Sequence, residues 1–265
     1  MPKFEFIEDV RTKIFQRFEA KYIITEMEAL AIKDYIEPYV FVDPHAVDDA
    51  GYVVNSLYLD SPDLGLFWSS ETGEKNRFKL RIRTYSDDPG DPVFFEIKRR
   101  VDRIISKQRA VVARDYVAKI LYEDGSGPDA LVRPDTKELE NLYQFRDYMD
   151  AIAAGPCVMV KYSREAYMSN LEEPVRVTFD RYLTCLPVEK YTPEVWTYDG
   201  SAWREIYDIP LILEIKFTDT IPSWVQHLVQ RFHLNRDSIA KYVKCVKALK
   251  RDGIRVGALL ESTAV

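Results

Sequence analysis

Cysteine, histidine and glycine are scarce in this sequence, and each shortage argues against a class of protein. Of 265 residues, three are cysteine, three histidine and ten glycine. Cys157, Cys185 and Cys245 lie far apart with no C-x-x-C pair, so neither a disulfide framework nor a structural zinc site is expected. No histidine stands in a recognisable Cys–His arrangement, so these thiols read as packing groups in a reducing, cytoplasmic setting. His227 and His233 are six apart on an expected helix, whereas a shared metal prefers a spacing of about three or four. His45 sits in a loop with no evident partner. "GSG" at 125–127 lacks the lysine and flanks of a phosphate-binding loop and reads as a turn. "MPKFEFIEDV" has no apolar region of a signal peptide, and no apolar run approaches the length of about 18 residues expected of a membrane-spanning helix. An excess of positive charge is lacking too: 37 Lys and Arg stand against 43 Asp and Glu. A broad nucleic-acid face is therefore not indicated, although a local basic pocket is compatible with that balance.

What is present is a hydrophobic, aromatic, strand-rich chain. It is 46% hydrophobic and 13% aromatic, enough for a substantial core and inclined towards β structure. "RFEAKYII", "YVVNSLYLDS", "RFKLRIRTYS", "VFFEIKRRVD", "RIISKQRAVV", "PCVMVKYSREAYMS", "VRVTFDRYLTCL" and "PLILEIKFT" read as strands. "DDPGDP" marks a tight turn. Helices are expected over "TEMEALAIKDYIEPYV", "RDYVAKILYE", "TKELENLYQFRDYMDAIA", "IPSWVQHLVQRF" and "RDSIAKYVKCVKALKRD". Thr25 is the expected cap of the first, with Glu28 completing a capping box and Met27, Leu30, Ala31 and Ile36 as its apolar positions. The whole chain, 1–265, reads as one α+β domain with a core from about 14 to 252.

Strand parity carries the functional signal. Arg17, Glu19 and Lys21 share a face; so do Lys79, Arg81 and Arg83; Glu96, Lys98 and Arg100; Arg176, Thr178 and Asp180; and Glu214 and Lys216. The opposite faces carry residues such as Leu80, Ile82, Phe95, Ile97, Val177, Phe179, Leu213 and Ile215. A solvated sheet face would explain this simply. Yet an ordinary wet face mixes Thr, Ser and Gln with its charges, and like charges in a row repel unless an anion joins them. If the sheet closes, the charged face becomes a lumen suited to a polyphosphate and a metal ion.

"RFEAKY", "NSLYLDS", "KLRIRTY", "FFEIKRR", "SKQR", "KYSREAY", "VRVTFDR", "LEIKF" and "SIAKYVK" occur in an order that resembles the polyphosphate polymerase (VTC, vacuolar transporter chaperone) domain family of the triphosphate tunnel metalloenzyme superfamily. The resemblance runs from about Arg17 to Lys247. It implies an antiparallel eight-stranded β tunnel with flanking helices, which makes inorganic polyphosphate from ATP with a divalent metal, manganese or magnesium. It further implies that Arg81 and Arg83 grip a triphosphate, with Lys98, Arg164 and Arg176 completing the catalytic lining. Lys21, Lys107, Lys216, Lys241 and Arg17 would contact substrate. Glu214 would bind the metal, with Glu19 and Glu96 as further candidates and Asp180 as a group that orients cations. Arginine suits this work because its planar fork binds two phosphate oxygens at once. No nucleic-acid partner is expected. Without a membrane segment, any coupling to membrane translocation would need a separate membrane partner.

Two other functions fit the same residues. A triphosphatase of the superfamily must activate water and typically opens on an E-x-E-x-K strand. Here Arg17 replaces the first glutamate, which removes a carboxylate and adds a phosphate contact. A non-catalytic polyphosphate-binding module would gain nothing from Glu214, unless that residue only pairs with Lys216. Tyr52, Tyr58 and Tyr85 read as packing residues, one of which could stack on an adenine. Lys244 to Arg251 reads as a solvated basic helix face that could also recruit anions.

Overall fold

Alternation with period two makes a strand two-faced, and this protein turns the apolar faces outward against helices. The computed structural model describes residues 17–44, 51–102, 104–171, 174–218 and 220–257, and the Arg17 side chain lies outside the described residues. Ten strands join in one sheet: β1 (Arg17–Ile24), β2 (Val40–Val42), β3 (Tyr52–Asp60), β4 (Asn76–Thr84), β5 (Val93–Val101), β6 (Ile104–Val112), β7 (Gly155–Ser169), β8 (Arg176–Pro187), β9 (Arg204–Glu205) and β10 (Leu211–Thr218). Every pairing is antiparallel, and the principal path runs β1-β10-β8-β7-β3-β4-β5-β6, with β2 beside β7 and β9 beside β8. The expected eight strands are this path. Register shifts at Tyr58/Leu59 and Lys161/Ser163 bend its middle.

The sheet curls without a closing ladder among the described residues, since β1 and β6 end the path. Side chains span the gap instead: Lys98 on β5 reaches Glu19 on β1 at 3.2 Å. The sheet is thus tunnel-like, open between β1 and β6, with this ion pair reaching from β5 to β1.

Among the described residues six α-helices flank it: α1 (Glu26–Ile36), α2 (Gly65–Glu71), α3 (Val117–Tyr122), α4 (Thr136–Ala151), α5 (Ser223–Arg231) and α6 (Lys241–Arg251). Outward-facing Leu57, Leu80, Ile82, Phe95 and Ile97 pack with Val117 and Ile120 of α3 and with Leu142, Phe145 and Met149 of α4. On the other wall Val177, Phe179, Leu213 and Ile215 pack with α1 and with Trp224, Val225 and Leu228 of α5. A third cluster sets Val243, Val246 and Leu249 of α6 against Val158, Val160 and Ile212. Val158 and Val160 share a strand face with Arg164, so α6 covers one end of the inner surface.

Several sequence expectations are corrected. The Thr25–Glu28 capping box forms, but the buried face of α1 is Ala29, Ile32 and Ile36, while Met27 and Leu30 are exposed. α6 begins at Lys241, so Arg236 to Ala240 form an extended approach rather than a helical turn. His227 lies on α5, but His233 falls beyond its end with φ of 49°. α2 was not anticipated. All three cysteines are buried and none forms a disulfide. No helix among the described residues is long and apolar enough to cross a membrane.

Candidate functional site

The inner face is organised in cross-strand rungs. Register sets Arg77 opposite Arg100, Lys79 opposite Lys98 and then Lys107, and Arg81 opposite Glu96 and then Arg109. The fully buried Glu96 is the hub of the last rung. Its Oε2 accepts from Nε and Nη2 of Arg81, each at 2.7 Å, and its Oε1 meets Lys107 at 2.5 Å and Arg109 at 2.8 Å. Burial favours the neutral acid, but Arg81, Arg83 and Lys107 hold this carboxyl well below its ordinary range.

The facing wall has a second hub. Arg164 grips Asp180 through two bonds of 2.6 and 2.7 Å, and Lys241, the first residue of α6, reaches the same carboxylate at 2.6 Å. Arg164 also lies 3.6 Å from Glu214, whose other oxygen meets Lys216 at 2.5 Å. Lys21 pairs with Glu19 at 2.7 Å and donates to the Ile239 carbonyl at 3.1 Å, tying β1 to the approach to α6. Despite burial, Lys21 and Lys98 hold Glu19 at about 2, and Lys21, Lys216 and Arg164 hold Glu214 well below the usual carboxylate range.

Two other lining cations, Arg83 and Lys79, have no carboxylate partner among the described residues. Arg83 is buried and donates to Ser56 Oγ at 3.0 Å, with the Tyr162 hydroxyl at 3.5 Å. Lys79 has no ion pair among the described residues. Burial, with Lys21, Lys98 and Arg77 nearby, lowers its ammonium to about 8. Tyr58, stacked on Tyr242 at 4.9 Å, is also held at about 8: burial raises it, and Arg81, Arg83 and Lys79 overcome that.

These groups enclose two connected spaces. An inner cavity of about 100 Å³ is lined by Glu19, Lys21, Arg81, Arg83, Lys98, Arg164, Glu214, Lys216 and Lys241. A wider mouth of about 470 Å³ shares Glu19, Lys21, Lys79 and Lys98 with it. The remaining candidates stand apart from these linings. Glu96 and Lys107 lie behind Arg81, and Arg176 pairs with Asp43 at 2.8 Å and the Tyr52 hydroxyl at 3.1 Å. Arg17 begins β1, and its side chain is outside the described residues. Sequence reasoning gave no role to Arg109, Tyr162 or Arg236. Parity with Lys107 could have found Arg109; nothing local could have found Arg236, which the chain brings in from the approach to α6.

A divalent ion fits this donor set in part. Among the described residues no group of three His, Cys, Asp or Glu could hold one. Glu19 and Glu214 are ionised, hard oxygen donors on paired strands. Magnesium-like ions are commonly held by one or two carboxylates plus substrate phosphates, and these two glutamates suit that mode.

A curled antiparallel sheet whose inner face concentrates lysine and arginine, with Arg83 and Lys79 lacking a carboxylate partner among the described residues, is suited to an extended anion. The VTC domain family model matches residues 16–250, and the chain belongs to that family. Comparison with curated proteins finds no match. Solved structures give distant likenesses. A Vibrio parahaemolyticus protein proposed to be an adenylate cyclase is 12% identical, with TM-score 0.43, over 86% of this chain and 96% of that one. Hippeastrum HpAC1, a proposed adenylyl cyclase with a dominant triphosphatase activity, is 13% identical, with TM-score 0.46, over 91% and 97%. PH1819 of Pyrococcus horikoshii is 11% identical, with TM-score 0.44, over 89% and 99%.

Proposed function

We propose that the protein is a polyphosphate polymerase, which transfers the γ-phosphoryl group of ATP to a growing inorganic polyphosphate chain inside the tunnel. One observation carries this reading over hydrolysis. Glu19, Glu96, Asp180 and Glu214 all face cations and are held below the ordinary carboxylate range. Such weak bases are poorly matched to activating water at neutral pH. A phosphate acceptor is already ionised and needs no base. Membership in the VTC domain family supports the same reading.

In the reaction a terminal oxygen of the acceptor phosphate forms a bond to the γ-phosphorus. The bond from that phosphorus to the β,γ-bridging oxygen breaks, and ADP leaves with the electron pair. Arg81 and Arg164 are suited to the developing charge because Glu96 and Asp180 already fix their guanidinium planes. Arg83 keeps donors free for phosphoryl oxygens. Glu214 and Glu19 would hold a divalent ion together with triphosphate oxygens, and that ion would neutralise charge on the β- and γ-phosphates.

The test is a timed incubation of the purified protein with ATP and Mn²⁺, resolved on a gel for chains and assayed for ADP and orthophosphate. Chains with stoichiometric ADP are expected. Arg81→Ala should slow their formation by about 10²–10³-fold. Glu214→Gln should lower turnover more than nucleotide affinity. Orthophosphate without chains would replace this reading with a triphosphatase, and tight polyphosphate binding without either product would replace it with a binding module.

A further inference from the structure

One fully buried carboxylate stands outside the cavity lining and has no cation to meet. Asp60 ends β3 and makes no ion pair among the described residues. A charge buried without a counter-ion is costly, so hydrogen bonds must carry this one. Oδ1 accepts from the Ser61 and Leu66 amides at 2.7 and 2.8 Å. Oδ2 accepts from the Phe67 amide at 2.8 Å and from the Tyr242 hydroxyl. The three amides belong to the turn into α2 and to its first residues, so that part of the arrangement is local. The Tyr242 bond reaches instead to the first turn of α6. Cys157 fixes its direction. The Cys157 Sγ lies 3.5 Å from the same hydroxyl, and burial pushes the thiol up to about 12, so the thiol keeps its proton and donates to Tyr242 while Tyr242 donates to Asp60.

The start of α6 needs such an anchor. Ala240 stands at its cap position, no side chain caps it, and its first turn holds no acidic residue. Yet this turn carries Lys241, which reaches Asp180 at 2.6 Å beside the two bonds from Arg164 to the same carboxylate. The next residue, Tyr242, stacks its ring on Tyr58 at 4.9 Å, and the Tyr58 hydroxyl accepts from Arg81 at 3.3 Å. Lys241, Tyr242, Tyr58, Arg81 and Arg164 all line the inner cavity, whereas Asp60 does not. We propose that Asp60 is a positioning residue for the phosphate site: through the Tyr242 hydroxyl it sets the first turn of α6, and with it Lys241 and Arg164 on one wall and Tyr58 and Arg81 on the other. The proposal rests on the reading of the inner cavity as a site for a triphosphate. A carboxylate that only capped α2 would be served by the three amides and would gain nothing from a hydroxyl on α6. A displacement of about 1 Å in groups that orient a phosphate is enough to cost most of their effect.

Asp60→Asn turns one bonded oxygen into a donor that faces a backbone amide, so it loosens α2 whatever else it does. Tyr242→Phe is the cleaner test, because it removes one hydroxyl and leaves the three amides on Asp60. Tripolyphosphate is titrated calorimetrically into the full chain, Tyr242→Phe, Lys241→Ala and the double variant. Each single variant should lose about tenfold in affinity, the scale of one charged hydrogen bond. The double variant should fall at least about threefold short of the product of the two losses, since residues that act through one another are not additive. A second readout needs no ligand. Tyr58, which burial raises and Arg81, Arg83 and Lys79 hold at about 8, is followed by ultraviolet titration, with Tyr58→Phe identifying its step. In Tyr242→Phe that step should move up towards 10, as the ring slips and Arg81 loses its hold. Losses that multiply in full, or a Tyr58 step that stays in place, would overturn the positioning role. A wild type without affinity for tripolyphosphate would sink the phosphate-site reading instead, and the tyrosine titration would then decide by itself whether Tyr242 is set as proposed.

Discussion

Glu96 illustrates how a single residue sets the geometry of the lining. Its two oxygens receive Arg81, Lys107 and Arg109, and none of its surface reaches solvent. Removing the carboxylate of this hub costs more than the pair's net worth, because Arg81 stays largely buried without its partner, whereas Lys107 and Arg109 are half-exposed and turn to solvent. Glu96→Gln should therefore destabilise the free protein by about 3 kcal/mol. That corresponds to a drop of roughly 6–12 °C in melting temperature for a chain of this size. Tripolyphosphate should recover much of the loss, since its oxygens can meet the cations that Glu96 abandons. Calorimetry with and without the anion checks both halves. An unchanged melting temperature would mean that Glu96 is not the hub described.

At the scale of elements, the strands follow from alternation and the site follows from register. Parity alone assigned Lys79, Arg81, Arg83, Glu96, Lys98, Glu214 and Lys216 to one face, because a strand has a period of two whatever its partners. What parity could not carry was which cations are neutralised. Lys98 and Lys79 look alike in sequence, yet Lys98 meets Glu19 across the seam while Lys79 faces open space. That difference depends on curvature, a non-local property of the whole sheet. The misjudged face of α1 has a similar origin: Ala29 and Ile32 are buried because of where β10 and α5 stand, not because of local hydropathy. Gly51 gives an element-scale test. It has φ of +84°, and a Cβ there would lie 2.4 Å from the Arg164 carbonyl oxygen. Gly51→Ala must shift the start of β3 from β7 where Tyr52 pairs with Arg164. The expected result is a stability loss of more than about 1 kcal/mol, together with weaker triphosphate binding. Denaturant titration and calorimetric binding would reveal an intact site and unchanged stability if this reasoning is wrong.

The whole molecule carries a net charge of −6 while its tunnel is cationic, so folding and ligand binding make opposite demands on the lining. Clustered cations that lack counter-ions cost stability in the free protein and gain affinity for an anion. The conflict should be visible in pH dependence. Burial first, with neighbouring cations second, lowers Lys79 from 10.5 to about 8, and Lys107 is lowered to about 8 by burial, with Arg109 and Arg81 adding to it and Glu96 opposing. Between pH 8 and 10.5 the unfolded chain then binds more protons at these lysines than the folded chain does, so their contribution makes stability rise with pH. Tyr58, held at about 8 against an ordinary 10, releases its proton earlier in the folded state and acts in the same direction. At the acid end the slope has the same sign. Glu19, lowered from 4.5 to about 2, contributes stability that is present above pH 4.5 and lost as pH falls towards 2, and Glu214 adds to that loss. On the proposed function, polyphosphate binding needs the lysines charged, so affinity should fall through the alkaline window in which these groups favour the free fold. Melting curves and polyphosphate titrations on one protein from pH 7 to pH 10 compare the two trends. Lys79→Met should flatten both, because it removes the group on which stability and binding disagree. Parallel trends in wild type, or trends unchanged by the substitution, would mean that the lining is tuned for the fold rather than for an anion.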